Sequence, residues 1–189
     1  MAAGDGPLHP AAAPRVSELL RLLRAHDVRF VLAGSAAVRA HGVALEPGDL
    51  DVVPDPSREN LRRVATAIEA VGGRPAGPFG DWVELPNGEK KWEARPTSQA
   101  EIDAWAPDPE DVASFDHKLR TRLGDLDLVP TLAGGYAELA ARAVTLSVEG
   151  VDVPVASIAD LLAKMTVPRR EKDVPRVAAL RSIQRGESP

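Results

Sequence analysis

Val28-Arg29-Phe30-Val31-Leu32-Ala33 leads straight into Gly34-Ser35, then Ala36 to Ala40 and His41-Gly42, and soon afterwards comes Asp49-Leu50-Asp51-Val52-Val53. The first run is apolar and β-prone, and Ala36–Ala40 is a short helix-prone piece. The second run alternates acid and apolar residues, so Asp49 and Asp51 point to one face of a strand with Cα atoms about 6.5–7 Å apart. A Gly directly after a strand permits φ > 0 and close approach of the backbone to a ligand. The Ser beside it brings a hydroxyl and an N–H to a helix start, where anions bind. Two carboxylates on one face suit a hard divalent cation, with phosphate oxygens completing its shell.

A third carboxylate would complete a two-metal site, in which two ions clamp the attacking and leaving oxygens of an in-line phosphoryl displacement. Leu123-Gly124-Asp125-Leu126-Asp127-Leu128-Val129 offers two candidates on a further strand. Asp127 is the better one, because it lies nearer the centre of the apolar run, where it could hold a metal or take a proton from an attacking hydroxyl.

The surrounding chain reads as an α/β (α+β) arrangement. Val16, Leu19, Leu20 and Leu23 have helical spacing, and so do Leu61, Val64, Ala65, Ile68 and Val71, with Gly72-Gly73 as a stop. Asp55-Pro56-Ser57 predicts the start of that second helix, Asp55 capping it and Pro56 in its first turn. Residues 74–118 carry all three Trp (Trp82, Trp92, Trp105) without a clear period and read as short strands and a helix, the tryptophans packing locally. Ser98 to Glu101 forms a candidate capping box, and the six acids of 101–116 suggest a solvated helix. Further on, Tyr136–Val144 is helical, Glu149-Gly150 turns a hairpin between 144–148 and 151–155, Ser157 to Asp160 opens a helix to Met165, and a last helix covers roughly 173–184. The expected fold is a mixed, short-stranded sheet with helices on one side and a C-terminal helical portion. Its divisions are a loose tail at 1–14, a main domain at 15–156 with 74–118 as an insertion, and helices at 157–185.

Composition bounds the rest. The chain has 189 residues, enough for one domain with a proper core, and no cysteine, which excludes disulfide scaffolds and thiolate chemistry. With 23 Lys+Arg against 28 Asp+Glu the net charge is −5, which argues against a nucleic-acid coat. No apolar run reaches the roughly 20 residues of a membrane span, and Met1–Pro14 lacks the pattern of a signal peptide, so the expected location is cytoplasmic. Within this acidic chain, Lys164, Arg169, Arg170, Lys172, Arg176, Arg181 and Arg185 face only two acids between 164 and 185, a local charge of +5 fit to meet a triphosphate or a nucleic-acid backbone.

Residues 30–42 and 49–53 resemble the start of a nucleotidyltransferase-superfamily domain, the superfamily of DNA polymerase β and the aminoglycoside nucleotidyltransferases. Its pattern is a Gly-Gly or Gly-Ser pair, an acid-x-acid pair on the next strand and a later third acid. Ser157-Ile-Ala-Asp160-Leu-Leu-Ala-Lys164, with Arg170-Glu-Lys172-Asp173, resembles the AbiEii-like nucleotidyltransferases of type IV toxin–antitoxin systems. The resemblance implies the nucleotidyltransferase fold, with Mg²⁺ or Mn²⁺ as cofactor and a nucleoside triphosphate as substrate. It implies Asp49, Asp51 and Asp127 as metal ligands, and Gly34, Ser35, Lys164, Arg170 and Lys172 as nucleotide-binding residues. Asp127, Lys164 and Asp173 would be the catalytic groups. The acceptor hydroxyl could belong to tRNA, a protein or a small molecule, and a cognate toxin or antitoxin is an implied partner. Glu46-Pro47-Gly48 stands where the family often has Ser or Thr and a base. The alternative is therefore a catalytically inactive binding or antitoxin-like module.

Overall fold

The computed structural model describes residues 12–86, 88, 90–130, 134–165 and 173–186. The chain begins with α1 (Val16–Ala25), β1 (Phe30–Leu32), α2 (Gly34–Ala40), β2 (Leu50–Pro54) and α3 (Arg58–Ala70). It continues through β3 (Arg74–Pro75), β4 (Gly80–Glu84), β5 (Lys90–Ala94) and α4 (Gln99–Ala104). A 3₁₀ turn at Val112–Phe115 precedes β6 (Lys118–Thr121), β7 (Gly124–Leu128), α5 (Gly135–Arg142), β8 (Val144–Val148) and β9 (Val151–Val155). The helices α6 (Ile158–Lys164) and α7 (Asp173–Gln184) follow.

Among the described residues the strands form a seven-stranded sheet in the order β3-β6-β7-β2-β1-β9-β8, and β4 pairs only with β5 in a separate hairpin. The sheet is mixed: β1 runs antiparallel to β2 and parallel to β9, while β2 runs parallel to β7. Parallel pairing needs a long crossover, and here everything from α3 to β6 lies between β2 and β7.

Consecutive residues of a strand point to opposite faces. Phe30, Val31 and Leu32 are all buried, and so are Val52 and Val53, so both faces of the central strands are covered. This corrects the expectation of helices on one side. The helices α1 and α3 pack on each other and on β9 and β2, while α5 lies across β1 and β2. The core is mainly aliphatic, with Phe30 and Phe115 as its buried phenylalanines.

The expectations at 101–116 and 55–57 are also corrected. The acids of 101–116 do not share one helix. The capping box at Ser98 and Glu101 forms, but its helix ends at Ala104, and the rest is turn, 3₁₀ and extended chain. Asp55 does not cap α3 from inside a first turn either. Its Oδ1 takes the Ser57 N–H at 2.8 Å, its Oδ2 pairs with Arg29 at 2.9 Å, and the helix begins at Arg58. Ala12 accepts a backbone hydrogen bond from Asp125 and Arg15 donates one to Leu123, so the residues from 12 onward lie along the start of β7.

The buried Asn60 fastens α3 to the β1–β2 layer. Its Oδ1 accepts from Arg29 N–H, and its Nδ2 donates to the carbonyls of Arg29 and Asp55. Removing a buried partner leaves those backbone groups unsatisfied. Asn60→Ala is expected to lower stability by about 2–4 kcal/mol, measured by denaturant unfolding against the exposed control Glu59→Ala, which should change it by less than about 0.5 kcal/mol.

Candidate active site

Three carboxylates converge where β1 gives way to α2. The parallel register of β2 on β7 sets Asp51 directly beside Asp127, and strand alternation brings Asp49, just before β2, to the same face. Oxygens of Asp49, Asp51 and Asp127 all lie within 4.8 Å of one another, and each side chain is half-buried.

Asp51 is held from the β1–α2 junction. The Ser35 backbone N–H donates to its carboxylate, and Ala33 N–H donates to its carbonyl at 2.9 Å. Gly34 sits at φ +59°, and a Cβ there would stand 1.8 Å from Asp51 Oδ2. The sequence-based reason for this glycine was close approach to a ligand; the structure adds that the approaching group is the site's own carboxylate. Ser35 Oγ is buried and has no hydrogen-bond partner among the described residues.

The crowding has an electrostatic signature. Burial first, then the charges of Asp49 and Asp127, push the Asp51 carboxyl up to about 7, with the Ser35 N–H and Lys118 pulling the other way. Burial and the Asp49 charge raise Asp127 to about 6, with Asp116 and Asp125 adding to the rise and Lys118 opposing it. Half-buried carboxylates that repel one another are relieved by a cation, and three hard oxygen donors fit a divalent ion such as Mg²⁺ or Mn²⁺. The residues present therefore fit the metal.

Sequence reasoning missed Lys118. It opens β6 and lies across the antiparallel pair from Asp127. Its Nζ donates to Asp49 Oδ2 at 2.8 Å and lies 3.5 Å from Asp125 Oδ2. Burial works against the ammonium, but the hydrogen bond to Asp49 and the charges of Asp49, Asp125 and Asp127 outweigh it and hold its pKa above the usual lysine value. Asp125, the lesser sequence candidate, is buried beneath this pair.

The remaining sequence candidates lie on the two C-terminal helices or outside the described residues. Lys164 ends α6; burial lowers its pKa, opposed by the charges of Asp160 and Glu138. It is not among the charges that weigh most on Asp51 or Asp127. Asp160 is engaged by Arg142 Nη2 at 2.7 Å and by Ser157 Oγ at 2.6 Å. Asp173 is buried at the start of α7, 3.8 Å from Arg176 Nη1. The two C-terminal helices pack together, and α6 also packs on α2, which carries Gly34 and Ser35. Arg170 and Lys172 lie outside the described residues, as do Arg169 and the side chains of Trp82 and Trp92.

Two outcomes follow from this geometry. In the folded protein Asp51 and Asp127 keep protons that the unfolded chain releases above its ordinary carboxylate value of 3.8. Their stabilising contribution is thus full below about pH 4 and lost as pH rises through about 6–7. The metal-free protein should lose melting temperature between about pH 4 and 7; Asp51→Asn should flatten that loss, and excess Mg²⁺ should recover it for the wild type above about pH 7. Gly34→Ala forces a side chain against Asp51 at positive φ. It is expected to cost about 2–4 kcal/mol and to abolish the Mg²⁺-dependent rise in melting temperature.

No protein-family model matches the sequence, and no curated protein matches it. Solved structures do match. The lincosamide antibiotic adenylyltransferase LnuA, determined with lincomycin bound, superposes with a TM-score of 0.54 at 15% identity, over 89% of this chain and 95% of its own. The antibiotic-resistance factor ANT(2'')-Ia gives a TM-score of 0.48 at 15% identity, over 90% of this chain and 89% of its own. A nucleotidyltransferase-like protein from Paracoccidioides brasiliensis gives 0.49 at 13% identity, over 89% of this chain and 74% of its own. The likeness to the lincosamide enzyme, with the mixed sheet and its flanking helices, gives this chain the nucleotidyltransferase fold.

Proposed function

We propose that the protein is a metal-dependent nucleotidyltransferase that moves a nucleotidyl group from a nucleoside triphosphate to the hydroxyl of a small molecule and releases pyrophosphate. The observation that carries this reading is the convergence of Asp49, Asp51 and Asp127, oxygens within 4.8 Å of one another, beside the Gly34-Ser35 turn. Asp49, Asp51 and Asp127 would hold the divalent cation. Bound there, it supplies Lewis-acid polarisation at the α-phosphate. Ser35 carries a buried hydroxyl without a partner among the described residues, a donor suited to a phosphate oxygen, and Gly34, by having no side chain, leaves room beside it for the Asp51 carboxylate. Asp127 receives the proton of the acceptor hydroxyl; the acceptor oxygen bonds to the α-phosphorus as the bond to the β-phosphate oxygen breaks. The sequence resemblance assigns Lys164, Arg170 and Lys172 to the nucleotide, and Lys164 and Asp173 to the catalytic groups, a reading supported by the packing of α6 on α2.

A small-molecule acceptor is favoured by the lincosamide adenylyltransferase, which this chain matches over 95% of that enzyme's length. A role in a toxin–antitoxin pair rests on the resemblance of the 157–173 segment alone.

The test is incubation with each nucleoside triphosphate, labelled at the α- or the γ-phosphate, with Mg²⁺ and separate pools of hydroxylated small molecules, total tRNA and cell protein. The expected outcome is α-label on a small molecule together with pyrophosphate. α-Label on tRNA or protein would move the acceptor to those classes, and γ-label transfer would overturn nucleotidyl transfer in favour of a kinase. Mg²⁺-dependent nucleotide binding without any product would assign the inactive binding module. Asp51→Asn and Asp127→Asn should each reduce transfer by at least about 100-fold while remaining folded.

A further inference from the structure

We propose that Lys118 is the resident cation of the acid site: its ammonium holds Asp49 in the free protein, gives it up when a divalent cation loads the site, and then turns to the triphosphate. The inference rests on the metal-site reading above and assigns a role to a residue that this reading leaves out. Lys118 is placed by main-chain pairing, since β6 runs antiparallel to β7 and sets it opposite Asp127. Its Nζ lies 2.8 Å from Asp49 Oδ2 and 3.5 Å from Asp125 Oδ2. Asp49, Asp51, Asp125 and Asp127 thus gather four carboxylates around one lysine, and the charge of Lys118 acts on both Asp51 and Asp127.

A divalent ion on these carboxylates needs Asp49 and is repelled by an ammonium resting on it. Lys118 can leave, because 43% of its side chain is exposed and a lysine stem is flexible, with its charge concentrated at one point. Leaving without a new partner would waste its charge. A triphosphate bound with the metal brings several negative oxygens to the same mouth, and the ammonium then gains charge-assisted hydrogen bonds to them. The arrangement therefore makes Lys118 oppose the bare metal and favour the metal–triphosphate complex.

The test uses the full chain with Lys118→Met and Lys118→Arg, Mn²⁺ alone as the first probe and Mn²⁺-tripolyphosphate at saturating Mn²⁺ as the second, both by calorimetry. Lys118→Met should bind Mn²⁺ at least about fivefold more tightly than wild type and Mn²⁺-tripolyphosphate about tenfold more weakly. Lys118→Arg, which keeps the charge, should hold both affinities closer to wild type than Lys118→Met does. Weaker binding of both probes by Lys118→Met would make Lys118 a structural staple of Asp49 and overturn the proposal, and unchanged binding of both would overturn it too. If Lys118→Met fails to give a cooperative melt, Lys118→Gln takes its place under the same criteria. Failure of the wild type itself to bind Mn²⁺ would instead overturn the metal site, a result the wild-type titration separates from failure of the lysine.

Discussion

The parallel pairing of β2 on β7 forces Asp51 and Asp127 side by side, and the site is arranged around the repulsion this creates. The strands stay in register because their other residues belong to the core: Leu50, Val52, Leu126 and Leu128 are all essentially inaccessible. Burying each such side chain is worth about 1.5–3 kcal/mol. Displacing Asp51 from 3.8 to about 7 corresponds to roughly 4 kcal/mol against the ionised form. Four apolar neighbours outweigh one frustrated acid, so the fold holds the carboxylates in place and leaves the strain for a ligand to relieve. Such local conflict inside an otherwise consistent fold marks function better than any single residue does.

Around that conflict, each neighbour acts on the same charge. Gly34 makes room by having no side chain, and the Ser35 N–H supplies a fixed partial positive charge to Asp51. Lys118 supplies a full charge to Asp49. The amide is held by the backbone, whereas the ammonium sits on a flexible stem and can be exchanged. A site with one permanent and one removable positive group keeps its acids together when empty and still admits a stronger cation.

The central part of this was legible in the sequence because its signals are local. Period-two alternation put Asp49 and Asp51 on one face, and a place nearer the centre of its apolar run marked Asp127 over Asp125. Glu149-Gly150, both at positive φ, turn the expected hairpin. What stayed hidden depends on pairing between distant segments. Lys118 follows a stretch without periodicity, and only the β6–β7 register reveals its place; a basic residue a few positions before an acid-bearing strand was the signal available. Asp55 looked like a cap because capping and side-chain turns draw on the same residue types, and its ion pair with Arg29 comes from a different strand connection. The acids of 101–116 lacked any apolar period, so nothing in them distinguished a helix from an irregular connection.

Residues 74–118 are tied to the chemistry by the strand that ends them. The segment leaves the main sheet after β3, forms the separate β4–β5 hairpin and rejoins the sheet at β6. At the point of return, His117 makes edge contacts with Trp105 and Phe79, ring centroids 5.3 and 5.7 Å away. Arg95 lies over the far partner, Phe79, 5.3 Å from its ring centre. His117 O accepts from Leu128 N–H, so the same residue is clamped to β7 by its backbone. The next residue is Lys118. Its backbone is therefore fixed from two sides, by β7 and by the rings of Phe79 and Trp105, while its partly exposed side chain is held by ion pairs alone. That combination, a rigid base under a partly exposed charge held only by ion pairs, is what an exchangeable cation beside three carboxylates requires, and it makes the 74–118 segment a structural support of the acid site.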